Sequence, residues 1–286
     1  MRFVVFIFIL FTVACQNMGS NDRFGTYLGA TPSEKRLIKP EGNTVKTRID
    51  VSDRYTRLSA NKGTFGAYLQ NFPLKPDGTK VLLYNGKEKI RQDVHVAVLD
   101  ISIGDKDLQQ CADACMRLRA EYLWHENQFD SIRFHFTNGF LAEYSKWRQG
   151  FRIQVDGNQV RWVETKSEKP SDNYEAFLNY MQQVFMYAGT LSLATELPKR
   201  NVSDIQMGDV FVMGGSPGHA VIVMDMAVND TGEKVVLLAQ SYMPAQNIHI
   251  LKNPHDSNLS PWFDMEGLEQ LETPEWNFTQ NQLKSW

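Results

Sequence analysis

The chain has 286 residues, 42% of them hydrophobic and 12% aromatic, enough to bury a full core within one decorated domain. Its 30 basic and 33 acidic residues leave a formal net charge of −3 with no long run of either sign, which excludes an electrostatic nucleic-acid binder. Composition also excludes collagen-like, disordered and disulfide-scaffold classes, and beyond the first fourteen residues no apolar run approaches the roughly 20 that cross a bilayer.

The opening MRFVVFIFILFTVAC sets Arg2 before an apolar stretch from Phe3 to Val13, then a small residue before Cys15. This resembles a bacterial lipoprotein signal, with Thr12 where that family usually carries Leu. The resemblance implies a signal peptide over 1–14, export, and lipidation of Cys15 as a membrane anchor, periplasmic or at the cell surface. An acylated terminus holds a protein to a bilayer without a transmembrane helix. The other readings are an ordinary secretory signal or a buried apolar strand. Residues 15–50, with QNMGSND and GATPSEKRLIKPEGN, are polar, rich in Gly, Pro and Ser, and without a period, which predicts a tether. A single globular domain is expected over 51–286.

Within that domain GTFGAYLQNFPL predicts a short helical turn and KVLLYNG a short strand closed by Asn-Gly. Residues 93–103, DVHVAVLDISI, are apolar on both alternating sides and predict a central strand covered on both faces. In DKDLQQCADACMRLRAEYLW, Leu108, Cys111, Cys115, Leu118 and Tyr122 recur at spacings of three and four, a helix with Asp105 or Asp107 as its cap. Ile132 to Phe136 predicts a short strand and FRIQVDGNQVRWV a hairpin, and residues 173–197 carry the longest helical pattern, interrupted at Gly189-Thr190. Asp209 to Met213, His219 to Met226 and Lys234 to Ser241 predict an antiparallel meander. Residues 252–286 read as an irregular tail in which Trp262, Trp276 and Trp286 pack.

Chemistry is restricted by what the sequence lacks. Apart from Cys15 the only cysteines are Cys111 and Cys115, four apart on one helix face, too few for a disulfide framework. There is no Cys-x-x-Cys or His-Glu-x-x-His string for zinc, GGSPG lacks the Lys and Ser/Thr of a phosphate loop, and no Gly-x-Ser-x-Gly elbow occurs, so no cofactor is implied. His219 opens a strand directly after a glycine-rich connection, where a side chain stands at the rim of a sheet. Centring the next hairpin on Asp230 and Thr231 sets His219 opposite Tyr242 and diagonal to Gln240.

The string GDVFVMGGSPGHAVIVMD resembles the core of papain-like cell-wall peptidases and amidases of the NlpC and CHAP type. In that superfamily a Gly-Asp strand start precedes a Gly-His strand start, and a nucleophilic cysteine lies upstream at a helix amino terminus. The resemblance covers roughly residues 94–250 and implies an α+β fold, a cysteine-bearing helix packed on an antiparallel sheet with N- and C-terminal decorations. It implies Cys111 as nucleophile and His219 as base; Gln240 would orient the imidazole, and Gln109 or Gln110 would offer an oxyanion donor. The sequence departs from the family in two ways. With Asp107 as cap, Cys111 would be the fourth helical residue, where the helix dipole has weakened, and a neutral glutamine replaces the usual His, Asn, Asp or Glu. The whole chain, through QQCADA, PGHAVIVMD and SYMPAQ, also resembles an uncharacterised lipoprotein family of Gram-negative gut bacteria of about this length.

Two functions stay open on these residues. One is an exported, lipid-anchored thiol hydrolase, a peptidase or amidase acting on peptidoglycan peptide or another amide. The other is a non-catalytic binding or assembly lipoprotein of the cell envelope, with Cys111 as core packing and the tryptophan-rich tail and cleft holding a ligand. Of the remaining polar residues, His95 and His135 alternate within strands, while His125, His249 and His255 lie in polar contexts and are expected to face solvent. Asp225 is expected to be a solvated or loop-bonding carboxylate rather than a triad member, and Gln246 a turn residue rather than one turned back toward the cleft.

Overall fold

The computed structural model describes residues 29–165 and 170–286. The signal-like segment and Cys15 lie outside the described residues. In chain order come α1 (Pro32–Leu37), α2 (Val45–Arg48), β1 (Thr56–Arg57), α3 (Phe65–Gln70) and β2 (His95–Val98). The cysteine helix α4 (Cys111–His125) follows. Next are β3 (Arg133–His135), β4 (Leu141–Glu143), α5 (Tyr144–Arg148), β5 (Phe151–Asp156) and β6 (Gln159–Glu164). Then α6 (Tyr174–Tyr187) and α7 (Thr190–Glu196) lead into the meander of β7 (Val210–Met213), β8 (His219–Val228) and β9 (Lys234–Gln240). The chain closes with β10 (His249–Leu251), β11 (Phe263–Asp264), β12 (Gln270–Glu272), β13 (Asn277–Thr279) and β14 (Leu283–Lys284).

The architecture is mixed α and β, centred on an eight-stranded sheet whose main path runs β14-β7-β8-β9-β10-β2, with β1 added to β8 and β11 to β9. Every pairing in it is antiparallel. The meander has the expected register: Ile222 faces Ala239 and Val223 faces Leu238, until a bulge between Val223 and Asp225 shifts the pairing by one. No helix among the described residues is long and apolar enough to cross a membrane.

Strands β8 and β9 are apolar on both sides, so each face of the sheet needs its own cover. Ala220, Ile222 and Met224 of β8, with Val235, Leu237 and Ala239 of β9, pack under α4 and α6 through residues such as Ala112, Cys115, Leu118, Phe177 and Met181. On the opposite face Val221, Val223, Val236 and Leu238 pack against Phe211, Leu271, Phe278 and Leu283. Residues 252–286 are therefore not an irregular tail: their β12–β13 hairpin roofs the second face, and β14 extends the sheet as its edge strand beside β7.

The stretch expected to be a tether is folded from Pro32 onward. A capping box between Thr31 and Glu34 starts α1, Leu37, Val45 and Ile49 are buried, and Ser260 donates to Glu34 Oε1 at 2.6 Å. The strand of 93–103 is shorter than expected and lies at the sheet edge beside β10 rather than at the centre, where the bridge between Leu74 and Leu99 screens its end. The longest helical pattern does break at Gly189, into α6 and α7.

Candidate active site

The site forms where the start of β8 and the end of β9 meet the amino terminus of α4. Neither Asp105 nor Asp107 caps that helix. Gln110 is the N-cap, its N–H donating to Asp113 Oδ2 at 3.0 Å, and Cys111 is the first helical residue. Asp107 is taken up by a distant partner, accepting from the Ala245 N–H at 2.7 Å, and also accepts from Gln110 Nε2 at 3.1 Å. Propensity favoured an aspartate cap, and a contact 138 residues away in sequence outweighed it. Cys111 thus stands where the helix dipole acts most strongly.

The backbone N–H groups of Ala112, Ala220 and Cys111 itself lie near enough to the Cys111 thiol to favour its thiolate. Ala220 follows His219 in β8, and its N–H lies on the side where β9 has already turned away. The Ser241 hydroxyl donates to Gln246 O at 2.8 Å and lies 3.2 Å from Gln109 O, tying that turn to the helix start. Burial nonetheless pushes the Cys111 thiol up to about 11, and the carboxyl of Asp113, two residues on, acts in the same direction, against those N–H groups. Cys115 is enclosed in the core, its thiol donating to Cys111 O at 3.7 Å.

His219 is almost fully buried, at 1% exposure, and lies on the second face of the sheet. Its ring packs against Tyr242 at 4.8 Å, Trp276 at 5.3 Å and Phe278 at 5.9 Å between centroids. Its Nε2 is 2.8 Å from Gln240 Oε1. The Gln240 amide is fixed from its other side, where Nε2 donates to Glu275 Oε2 at 2.7 Å. The glutamine oxygen therefore faces the imidazole, so Nε2 of His219 carries the proton and Nδ1 keeps a lone pair. Burial lowers His219 to about 4, the bond to Gln240 offsets part of that, and Lys89 adds a small further depression.

Glu275, Lys89 and His249 complete this network and were not legible as site residues. Lys89 Nζ donates to the second Glu275 oxygen at 2.6 Å and stands 5.3 Å over the Tyr242 ring. His249, expected in solvent, is fully buried opposite Gln240, with Nδ1 donating to Asn247 O at 2.8 Å; burial, then neighbouring His95, lower it to about 3. Asp225 is likewise not solvated but fully buried, ion-paired to Arg57 at 2.9 Å and accepting from Gln70 at 2.7 Å. Gln246 is buried as well, its Oε1 without a partner.

The expected bond between Gln240 and His219 is present. Cys111 reaches the same strand end near the Ala220 N–H, but its helix covers the first face while the His219 ring lies on the second, and among the described residues no hydrogen bond joins the thiol to either ring nitrogen. Tyr242 links the two sides: it packs tilted against His219 and lies close enough to Cys111 that a thiolate there disfavours its phenolate, a smaller effect than burial and Glu275. Gln110 Nε2 is spent on Asp107, whereas Gln109 keeps a buried, unpartnered Nε2 while its Oε1 accepts from Arg117 at 2.9 Å.

Residues 45–285 match the profile of a family described as domain of unknown function 4846, DUF4846. The chain belongs to the DUF4846 family. No curated protein and no solved structure matches the chain. Cys111, His219, Gln240 and Glu275 all fall inside the DUF4846 span, so the complete network is part of the family domain, whereas Cys15 precedes it.

Proposed function

We propose that this DUF4846 chain is an exported, lipid-anchored thiol hydrolase that cleaves amide bonds, with cell-wall peptide as the substrate class, on a papain-like core of the NlpC type. One observation carries the reading: the Cys111 thiol sits on the first residue of its helix, near the N–H of the residue that follows a histidine of fixed tautomer. Export and anchoring at Cys15 rest on the signal-like first fifteen residues and on the likeness to an uncharacterised lipoprotein family of Gram-negative gut bacteria.

The reaction requires the imidazole to meet the thiol round the start of β8; the sulfur then attacks the amide carbon, forming a C–S bond as its proton passes to Nδ1 of His219. The imidazolium then protonates the leaving amine as the C–N bond breaks, and water cleaves the thioester to release the acid and restore the thiol. N–H groups at the helix start stand where an oxyanion would develop. Gln240 acts as a positioning residue, keeping the Nδ1 lone pair available.

A non-catalytic binding protein is the second reading, favoured by the neutral resting pair of a thiol near 11 and an imidazole near 4, between which proton transfer is strongly uphill. The two readings part on one experiment. Purified full chain and its Cys111→Ala variant are each incubated with peptidoglycan stem peptides, and new amine ends are followed by mass spectrometry. New ends from the wild type alone support the hydrolase. Identical digests from both proteins, or iodoacetamide labelling of Cys111 that is unchanged by His219→Gln, overturn it.

A further inference from the structure

At the far end of β8 from His219 lies a cavity of about 570 Å³, a size that suits a small organic ligand. Phe65, Ile205, Met207, Met226 and Trp286 give it an apolar wall, and Arg119 of α4 reaches into it, about 12 Å along the helix from Cys111. Gly208 helps shape that wall: it has φ +94°, and a Cβ there would fall 2.5 Å from a Phe65 ring carbon.

Arg119 is exceptional among the shielded arginines of the described residues. Arg48, Arg57, Arg117, Arg148 and Arg200 are each paired with a carboxylate, and Arg152 donates to backbone carbonyls. Arg119 has no hydrogen-bond or ion-pair partner among the described residues. Its guanidinium stands instead over three rings, 5.0 Å from Phe65, 5.4 Å from Tyr122 and 6.0 Å from Trp286. None of its nitrogens is among the sealed, unpartnered polar atoms of the protein, so the donors open into the cavity. Asp209, the one acidic side chain in the lining, is already paired with Arg200 at 2.9 Å.

We infer that this cavity binds an organic carboxylate with an apolar, ring-sized body, its carboxylate forked on Arg119 and its body against Phe65 and Trp286. A planar guanidinium whose far side is covered by rings suits a planar carboxylate, and the phosphate arm of the test measures whether Lys234, which lines the cavity without a carboxylate partner among the described residues, adds a second charge. Lys234, at the rim, already donates to Ser203 O.

The test is calorimetric titration of the full chain with naphthalene-2-carboxylate, its neutral carboxamide and 2-naphthyl phosphate. The expected result is saturable 1:1 binding of the carboxylate, with the carboxamide about tenfold weaker or more, the range of a charge-assisted hydrogen bond. Arg119→Gln should bring carboxylate and carboxamide to similar affinity at an unchanged melting temperature. Quenching of indole fluorescence by the carboxylate should shrink in Trp286→Phe, which places the ligand in this cavity. Equal binding of carboxylate and carboxamide to the wild type, absence of saturable carboxylate binding, or a tighter fit of the phosphate overturns the inference. The wild-type comparison decides even if Arg119→Gln fails to fold.

Discussion

The two ends of β8 treat charge in opposite ways. At its start the thiol of Cys111 and the imidazole of His219 are both kept neutral by burial, and each polar atom of Gln240 and Glu275 is committed to a partner within the network. Toward its end a guanidinium that cannot lose its charge faces an open cavity unmatched. On the proposed hydrolase reading, the first end acquires charge during the reaction, and its N–H groups stand where that charge would appear. The second already holds its charge and can only wait for an anion. On the two proposals together, one strand would carry a site for chemistry at its start and a site for binding toward its end.

The contrast breaks first at Cys111. If the start of β8 is reactive, Cys111→Ala lowers amide turnover by about a thousandfold or more, the usual scale for removing a nucleophile, with unchanged circular dichroism. Next in size is the bulge that separates the two ends. Asp225→Ala removes a fully buried carboxylate from Arg57, Gln70 and the Met226 N–H, and costs about 3 kcal/mol in urea unfolding, the lower range for a broken buried pair because the Arg57 side chain keeps 21% exposure.

Acid tests the neutral end directly. His219 titrates near 4 in the folded chain and near 6.5 when unfolded, so its contribution to stability is complete above about pH 6.5 and is lost as pH falls toward 4. Between pH 7 and 5 this amounts to about 2 kcal/mol. His249, lowered to about 3, adds in the same sense. Asp209 opposes both: burial raises it to about 6, so the folded chain takes up its proton first and gains stability as pH falls through that value. The informative quantity is therefore a difference: the urea unfolding free energy of His219→Gln should fall less between pH 7 and 5 than that of the wild type, by about 2 kcal/mol. Gln240→Ala, which frees the imidazole to exchange tautomers, should lower kcat about tenfold while leaving KM unchanged, the split expected of a positioning residue.

What was legible in the sequence follows the range of the interactions involved. The meander, its register and the diagonal from His219 to Gln240 came from a hairpin turn, because strand pairing across a short turn is fixed by local geometry. The break at Gly189 and the helix bearing Cys111 are also local patterns. Glu275 lies 35 residues beyond Gln240, in a segment without periodicity, and nothing local marks it as the partner of that amide. His249 sits in a polar context yet lies fully buried, because its ring nitrogens find Asn247 and Gln240. The roof formed by 252–286 escaped for a related reason: its strands are two or three residues long, and only the doubly apolar faces of β8 and β9 signalled that a second cover was needed.

The smallest effect separates burial from charge at the thiol. Asp113 is part of the cap of α4, accepting from the Gln110 N–H, and it is also the second cause of the raised Cys111 value. Asp113→Asn retains an oxygen for the Gln110 N–H and removes any negative charge, so the helix start survives while one obstacle to the thiolate goes. Because burial is the larger cause, the thiol should stay above its usual range and fall by about one unit at most. A tenfold gain in thiolate is partly cancelled by its lower nucleophilicity, which leaves about a threefold faster reaction with iodoacetamide at pH 8. The wild-type rate should climb about tenfold per pH unit from 7 to 9 without levelling, since a thiol near 11 is far from saturation there. A plateau in that range would mean that the N–H groups of Cys111, Ala112 and Ala220 outweigh burial and that the start of β8 is charged at rest, erasing the contrast with Arg119.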